Sequence, residues 1–203
     1  MRHIQTLAEL AIVIAITSLA GIGQAQVAPT ATQQLQLSAF AGGTGTFTGL
    51  EGGKNLDITA GADLTFLSLR FLRPSLEVRG TYPIDKGTIS SQKSFLLGPK
   101  VEYPFGRLHP YVDFLIGRGE IDYGAGGFAV GNVLYISSTS TIYSPGGGLD
   151  YNFTRQLDLK ADLQYEHWDT PVVAAGVIHP VAVTLGAVYR FDFNPRHHRS
   201  RSK

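Results

Sequence analysis

Ten charged side chains stand where chemistry or buried electrostatics is possible: Asp63, Glu77, Arg79, Lys100, Glu102, Asp113, Asp150, Lys160, Asp162 and Arg190. Each lies on the polar side of a segment in which apolar and polar residues alternate, so all ten are expected to point into one interior. Carboxylates held close together can share a proton and divide the roles of acid and base. Nothing specific to such a dyad accompanies these residues. Charges removed from water must be paired and hydrogen-bonded, or each costs several kcal/mol. The expectation is therefore a salt-bridged plug rather than a catalytic centre or an open water channel.

Other constellations are weaker. His167, with Glu166 and Asp169 beside it, has the acid partners of a general base and is expected near an outer rim, as in lipid-modifying barrel enzymes. No local Ser accompanies it to act as the nucleophile such an enzyme needs. Ser90-Ser91-Gln92-Lys93 has the spacing S-x-x-K, but in an expected loop and without its partner motifs. Gly124 to Gly131 is Gly-rich, yet it leads into no helix and carries no Lys-Ser/Thr pair, so it reads as an outer loop and not a phosphate loop. Asn152-Phe153-Thr154 fits a glycosylation acceptor, but in an expected periplasmic turn it reads as coincidence. No catalytic residue, metal-ligand set or cofactor is expected.

The segments that must position the charges alternate with a period of two. From Leu157 to Trp168, the residues Leu157, Leu159, Ala161, Leu163 and Tyr165 interleave with Asp158, Lys160, Asp162, Gln164 and Glu166. That is a strand with one apolar and one polar face; a helix would mix them. Val181 to Phe191, Leu76 to Tyr82, Phe95 to Tyr103, Val112 to Gly117 and Asp57 to Phe66 follow the same rule. Ser38 to Thr48 and Ser138 to Tyr151 are Gly-rich and harder to register. About eight strands result, many long enough to cross a bilayer at a tilt, which takes about 9–11 residues. Leu72-Arg73-Pro74, Gly106 to His109 and Asn152 to Gln156 are expected as short turns. Gly49 to Asn55, Ile84 to Lys93, Gly119 to Ser137 and Asp169 to His179 are expected as long loops. Short turns belong in the periplasm and long loops outside, which puts both termini in the periplasm. Phe71, Tyr103, Phe105, Tyr151, Phe153, Tyr189 and Phe191 gather near the short turns, where rings suit the headgroup boundary.

Composition fits this class. Charged residues make up 16% of the chain against 43% hydrophobic, and the net charge of +1 gives no general affinity for nucleic acid. There is no Cys, which removes disulfides, thiolate metal sites and a Cys nucleophile. Arg2 and His3, an apolar run from about Leu10 to Ile22, and Gly23-Gln24-Ala25 have the layout of an export signal cleaved after Ala25. The apolar run is shorter than the ~20 residues of a spanning helix. The expected organisation is a signal peptide over 1–25, a short periplasmic segment over 26–35, a barrel over 36–193 and a basic periplasmic tail over 194–203.

Thr184-Leu185-Gly186-Ala187-Val188-Tyr189-Arg190-Phe191 resembles the β-signal read by the barrel assembly machinery, with Thr184, Gly186, Tyr189 and Phe191 at its defined positions. Gly186 is expected to leave room in a packed lumen. With Leu35 to Tyr82, and with Gly98 to Tyr103 followed by Pro110-Tyr111-Val112, the stretch from Leu35 to Phe193 resembles the outer-membrane protein A-like eight-stranded barrel family. Two features depart from it: residues Asn194 to Lys203 follow the final aromatic, and the chain is too short for a peptidoglycan-binding domain. The resemblance implies an all-β, antiparallel, up-and-down transmembrane barrel in the outer membrane, monomeric, in contact with membrane lipid and lipopolysaccharide. A structural or surface-interaction role is expected. The alternatives are a narrow porin-like channel for small solutes and a lipid A-directed hydrolase.

Overall fold

The computed structural model describes residues 35–191 apart from Arg70, Lys86, Thr88 and Ala125. The expected signal over 1–25, all of the 26–35 segment except Leu35, and the 194–203 tail lie outside the described residues.

Among the described residues the chain forms β1 (Gln36–Phe47), β2 (Lys54–Thr65), β3 (Arg73–Asp85), β4 (Ser90–Glu102), β5 (Leu108–Tyr123), β6 (Phe128–Val130), β7 (Val133–Tyr135), β8 (Ser137–Asn152), β9 (Leu157–Tyr165), β10 (His167–Asp169), β11 (Val177–Ile178) and β12 (Val181–Phe191). Eight of these make the wall. Running around it, β1, β2, β3, β4, β5, β8, β9 and β12 each pair antiparallel with the next. The ring closes where β1 meets β12, in register from Leu37↔Phe191 to Phe47↔Val181. β10 carries the line of β9 onward against β8 and β11, and β6 with β7 forms a hairpin outside the wall. The fold is an all-β, closed, eight-stranded antiparallel barrel.

Strand parity sets the two faces. Outward positions are apolar and bare: Val112 is 65% exposed and Leu185 66%. Inward positions hide charge: Glu77 is 0% exposed and Arg79 3%. A water-soluble sheet would turn these faces the other way. Lipid accepts the apolar face, and closure satisfies every backbone group of the wall without water.

The connections divide into two rims. The turn rim holds 66–72, 103–107 and 153–156, and the loop rim holds 48–53, 86–89, 124–136 and the excursion through β10 and β11. Two expected loops are shorter than the sequence suggests. β3 runs on to Asp85 and β4 starts at Ser90, so Ser90 to Lys93 lie in a strand, with Ser90, Ser91 and Gln92 buried. β5 likewise extends to Tyr123, because Glu120 and Asp122 face outward and keep the alternation going past the apolar stretch. At the turn rim, Gly106 takes a positive φ of 63° between the facing residues Phe105 and Leu108, a conformation that glycine adopts without strain.

Leu163 lies on the outward face of β9, flanked by Val183 and Gly147. Leu163→Arg is expected to cost ~2–4 kcal/mol and to lower the folded fraction in lipid vesicles, read by heat-modifiable gel mobility. Thr139→Arg, exposed beside Glu120 near the loop rim, is expected to fold as the unmodified protein does. Equal yields would overturn the assignment of the lipid face.

Candidate functional site: the barrel interior

An eight-stranded barrel leaves an interior just wide enough to be filled by side chains. Here that filling has three layers. At mid-height sits an ion-pair network built on Arg79 of β3. Its Nη1 donates to Asp162 Oδ1 at 2.6 Å and its Nη2 to Asp162 Oδ2 at 3.2 Å, a bidentate pair across the lumen. Its Nε donates to Glu77 Oε1 at 2.7 Å, and Asp113 Oδ2 lies 3.8 Å from Nη2. Lys100 Nζ stands 3.2 Å from Asp63, 3.4 Å from Glu77 and 3.7 Å from Asp150. Lys160 Nζ is 3.9 Å from Asp150 and lies over two rings, 4.7 Å from the centroid of Phe40 and 4.1 Å from that of Tyr111. Ring faces attract cations, the more so away from water.

Five carboxylates thus face three cations, and neutral donors help hold the surplus. The Tyr111 hydroxyl donates to Asp162 Oδ2 at 2.7 Å, and Gln164 Nε2 donates to both Asp113 oxygens at 3.0 and 3.1 Å. Ser144 in turn donates to Gln164 Oε1 at 2.8 Å. A ladder of hydroxyls runs alongside, Thr184–Thr44–Thr59–Thr81, with steps of 2.8, 2.6 and 3.0 Å.

Glu102 and Arg190 are not part of this network. They form a second layer at the turn rim, where Arg190 Nε is 2.6 Å from Asp158 and Glu102 Oε1 is 2.9 Å from His109 Nδ1 and 3.3 Å from Arg73. The gap left between the two layers, beside Asp63, Lys100 and Glu102, has a volume of about 20 Å³, room for roughly one water.

Toward the loop rim an apolar cluster fills part of the interior, among buried polar residues that include Asn55, Asp57, Ser90, Gln92 and Glu166. Leu96, Leu115, Ile142 and Trp168 are buried there, joined by Ile121, Tyr123, Leu50 and Ile178. Trp168 Nε1 donates to Glu166 Oε2 at 2.6 Å, and the Tyr123 hydroxyl lies 2.6 Å from both Ser138 and Thr170. His167 faces the other way. Its ring lies against Tyr143 and His179, at centroid distances of 6.4 and 5.0 Å, and its Nε2 is 3.8 Å from Asp169.

The rings inside the wall are what the sequence reading misses. Phe40 and Tyr111 fall on inward positions by parity, yet apolar bulk is not expected on a charged face. Their signal is in the partner strand. Phe40 sits opposite Gly61 and Tyr111 opposite Gly148. A Cβ on Gly61 would come within 2.5 Å of the Phe40 ring, and one on Gly148 within 2.5 Å of the Tyr111 hydroxyl. Gly119 makes the same room for Trp168, at 2.3 Å.

The four residues expected to form the assembly signal lie on β12. Thr184 belongs to the hydroxyl ladder, and the rings of Tyr189 and Phe191 meet edge to face at 5.0 Å on the outward side. The expected role of Gly186 needs correction. Its Cβ would meet not lumen side chains but the β1 backbone, 2.3 Å from Ala41 O and 2.8 Å from the Cα of Gly42 opposite.

A closed wall with an apolar exterior and paired charge inside is the architecture of an outer-membrane barrel, and a family model described as outer membrane protein beta-barrel domain matches residues 8–191. The chain belongs to that family. It is an outer-membrane β-barrel protein, located in the cell outer membrane. Among solved structures it is similar to Neisserial surface protein A, at 19% identity over 78% of this chain and 97% of that one, with a TM-score of 0.49. It is also similar to Ail, the attachment invasion locus protein of Yersinia pestis, in complex with the heparin analogue sucrose octasulfate, at 14% identity, 77% and 97% coverage and a TM-score of 0.48. The outer membrane protein OprG from Pseudomonas aeruginosa is matched at 14% identity, 77% and 96% coverage and a TM-score of 0.44. A comparison with curated proteins gives no match.

Arg79→Met in this barrel leaves Glu77 and Asp162 buried without their guanidinium and is expected to destabilise it by about 3–5 kcal/mol. Tyr111→Phe removes one hydrogen bond to a carboxylate and is expected to cost less, about 1.5–3 kcal/mol. Denaturant unfolding in detergent micelles gives both values. The reverse order would show that the network does not centre on Arg79.

Proposed function

We propose that this outer-membrane barrel is a non-conducting protein with a structural or surface-interaction role. Its loop rim faces outside the cell and its turn rim faces the periplasm. Outer-membrane lipid and lipopolysaccharide surround it, and it acts as a monomer without catalysing a reaction. The observation that carries this reading is the stacking of two different fillings in one lumen: an ion-pair network beneath an apolar cluster that includes Trp168. A hydrated solute would have to strip ion pairs in the first and displace packed side chains such as Trp168 in the second. Surface interaction is supported by what stays exposed on the loop rim, residues 129–134 of the β6–β7 hairpin. The packing of His167 against Tyr143 and His179 supports an interfacial role for that ring, with no hydroxyl bonded to it among the described residues.

Planar-bilayer recording tests the reading. The protein is expected to show no stable conductance step, and Trp168→Ala is expected to remain silent because the ion-pair layer persists. A stable pore wide enough for sugars would overturn the proposal in favour of a narrow porin-like channel.

The same proposal assigns Thr184, Gly186, Tyr189 and Phe191 to recognition by the barrel assembly machinery. The closing position of β12 supports this, since the strand that completes the ring is the one whose delivery decides closure. Changing Tyr189 and Phe191 together to Ala is expected to reduce outer-membrane levels steeply, whereas deleting residues 194–203 is expected to leave them near normal. Membrane fractionation of the two variants decides; the opposite outcome would move the signal to the tail.

A further inference from the structure

Three turns make up the turn rim, and each carries the same short pattern: Phe71-Leu72-Arg73, Phe105-Gly106-Arg107 and Phe153-Thr154-Arg155. In each the ring is exposed on the outside of the barrel and a guanidinium follows two residues later. The three connections contain no acidic residue. Arg73 is committed to Glu102. Arg107 and Arg155 are exposed, and no carboxylate lies within ion-pair distance of either among the described residues.

These two arginines do not point to separate places. Together with Arg190 they line one cleft of about 400 Å³, walled by Asn152, Phe153 and Thr154. The frame is fixed by backbone bonds that tie two of the connections to neighbouring strand ends: Asn152 N of β8 donates to Arg107 O at 2.8 Å, and Arg190 N of β12 donates to Gln156 O at 2.8 Å. Arg190 is neutralised by Asp158 at 2.6 Å, so among the described residues the cleft carries the surplus of two guanidiniums. A planar guanidinium matches the oxygens of a phosphate in pairs. Phe153, exposed beside the cleft, places it at the boundary between hydrocarbon and water. The ligand that fits has a phosphate at that boundary and an acyl chain beyond it.

We propose that Arg107 and Arg155 bind the headgroup phosphate of an anionic phospholipid, with Phe153 against the upper part of its acyl chains. The site is a periplasmic-leaflet site, which rests on the orientation proposed above. It orders a lipid at the β4–β5 and β8–β9 turns and fixes the depth of that side of the barrel.

Native mass spectrometry of the full protein, released from micelles doped with phosphatidylglycerol or phosphatidylcholine, tests this. The unmodified protein is expected to retain phosphatidylglycerol in preference. Arg107→Gln with Arg155→Gln is expected to weaken retention by about tenfold or more, in line with the attraction of basic residues to anionic headgroups. Lys54→Gln with Arg118→Gln, two exposed cations near the loop rim, is the matched control and is expected to retain lipid normally. Heat-modifiable mobility confirms that each variant is folded. Equal retention by the unmodified protein and the turn-rim variant overturns the site, as does an equal loss in the control. Displacement of the lipid by millimolar inorganic phosphate overturns the lipid assignment and leaves a free-anion site. Orientation is read separately, because the chain has no Cys: with an impermeant maleimide, Gly131→Cys is expected to label in intact cells and Thr154→Cys only after permeabilisation. Labelling of Thr154→Cys in intact cells overturns the orientation and the leaflet, while the lipid-retention result still decides whether the two arginines form the site.

Discussion

Hydrocarbon offers no partner to a peptide group, so the wall of this protein must be a ring, and the pairing of β1 with β12 is the contact on which everything else depends. At that seam Gly42 lies opposite Gly186, and a side chain on either would run into the other strand's backbone. The close approach lets the sheet curl tightly enough for eight strands to meet. Closure at eight then leaves a lumen only one or two side chains across. Side chains fill the interior, and most of its charged residues are buried. Most of them are paired with an opposite charge, and others, such as Asp57 and Glu166, hold a neutral donor instead.

Packing this interior is a matter of interlocking sizes as much as of opposite charges. Lys160 rests between the rings of Phe40 and Tyr111, and each ring is seated over a glycine of the neighbouring strand. The apolar layer above is closed partly from the loops, since Leu50 and Ile178 come from the loop rim to meet Leu96, Leu115 and Trp168. Replacing buried ion pairs by well-packed apolar residues is often neutral or stabilising in other proteins. Their value here lies in a fixed register: slipping any strand by one residue would send its charges into lipid.

The wall was legible because alternation is a local property. Leu157 to Trp168 announces its two faces within one stretch of chain, and so does Val181 to Phe191. The Gly-rich β1 and β8 resisted the same treatment, and the structure explains why. Gly42 is a blank position in β1 because it meets the backbone of β12, and Gly148 is one in β8 because it seats the Tyr111 ring of β5, relations that no single stretch displays. The inward direction of the ten charged residues could be read from parity, but their division into a mid-height network and a separate rim cluster of Glu102 and Arg190 depends on height in the barrel. His109, buried beside Glu102, shows no pattern in the sequence that would place it there. The start of β4 at Ser90 was obscured because Ser-Ser-Gln-Lys has the composition of a loop while its backbone continues the ladder to β5.

The bidentate pair of Arg79 and Asp162 joins β3 to β9, and these strands stand four places apart in a ring of eight, directly across the lumen. It is a strut along a diameter, not a rivet between neighbours. A strut cannot form in a flat or half-rolled sheet, because its two ends are then too far apart to touch. It therefore belongs to the last stage of folding and rewards completion alone. In the finished barrel it opposes any change of section that draws β3 and β9 apart. Such a molecule has little to gain from opening partway: it holds its circular section until the whole ring gives way together.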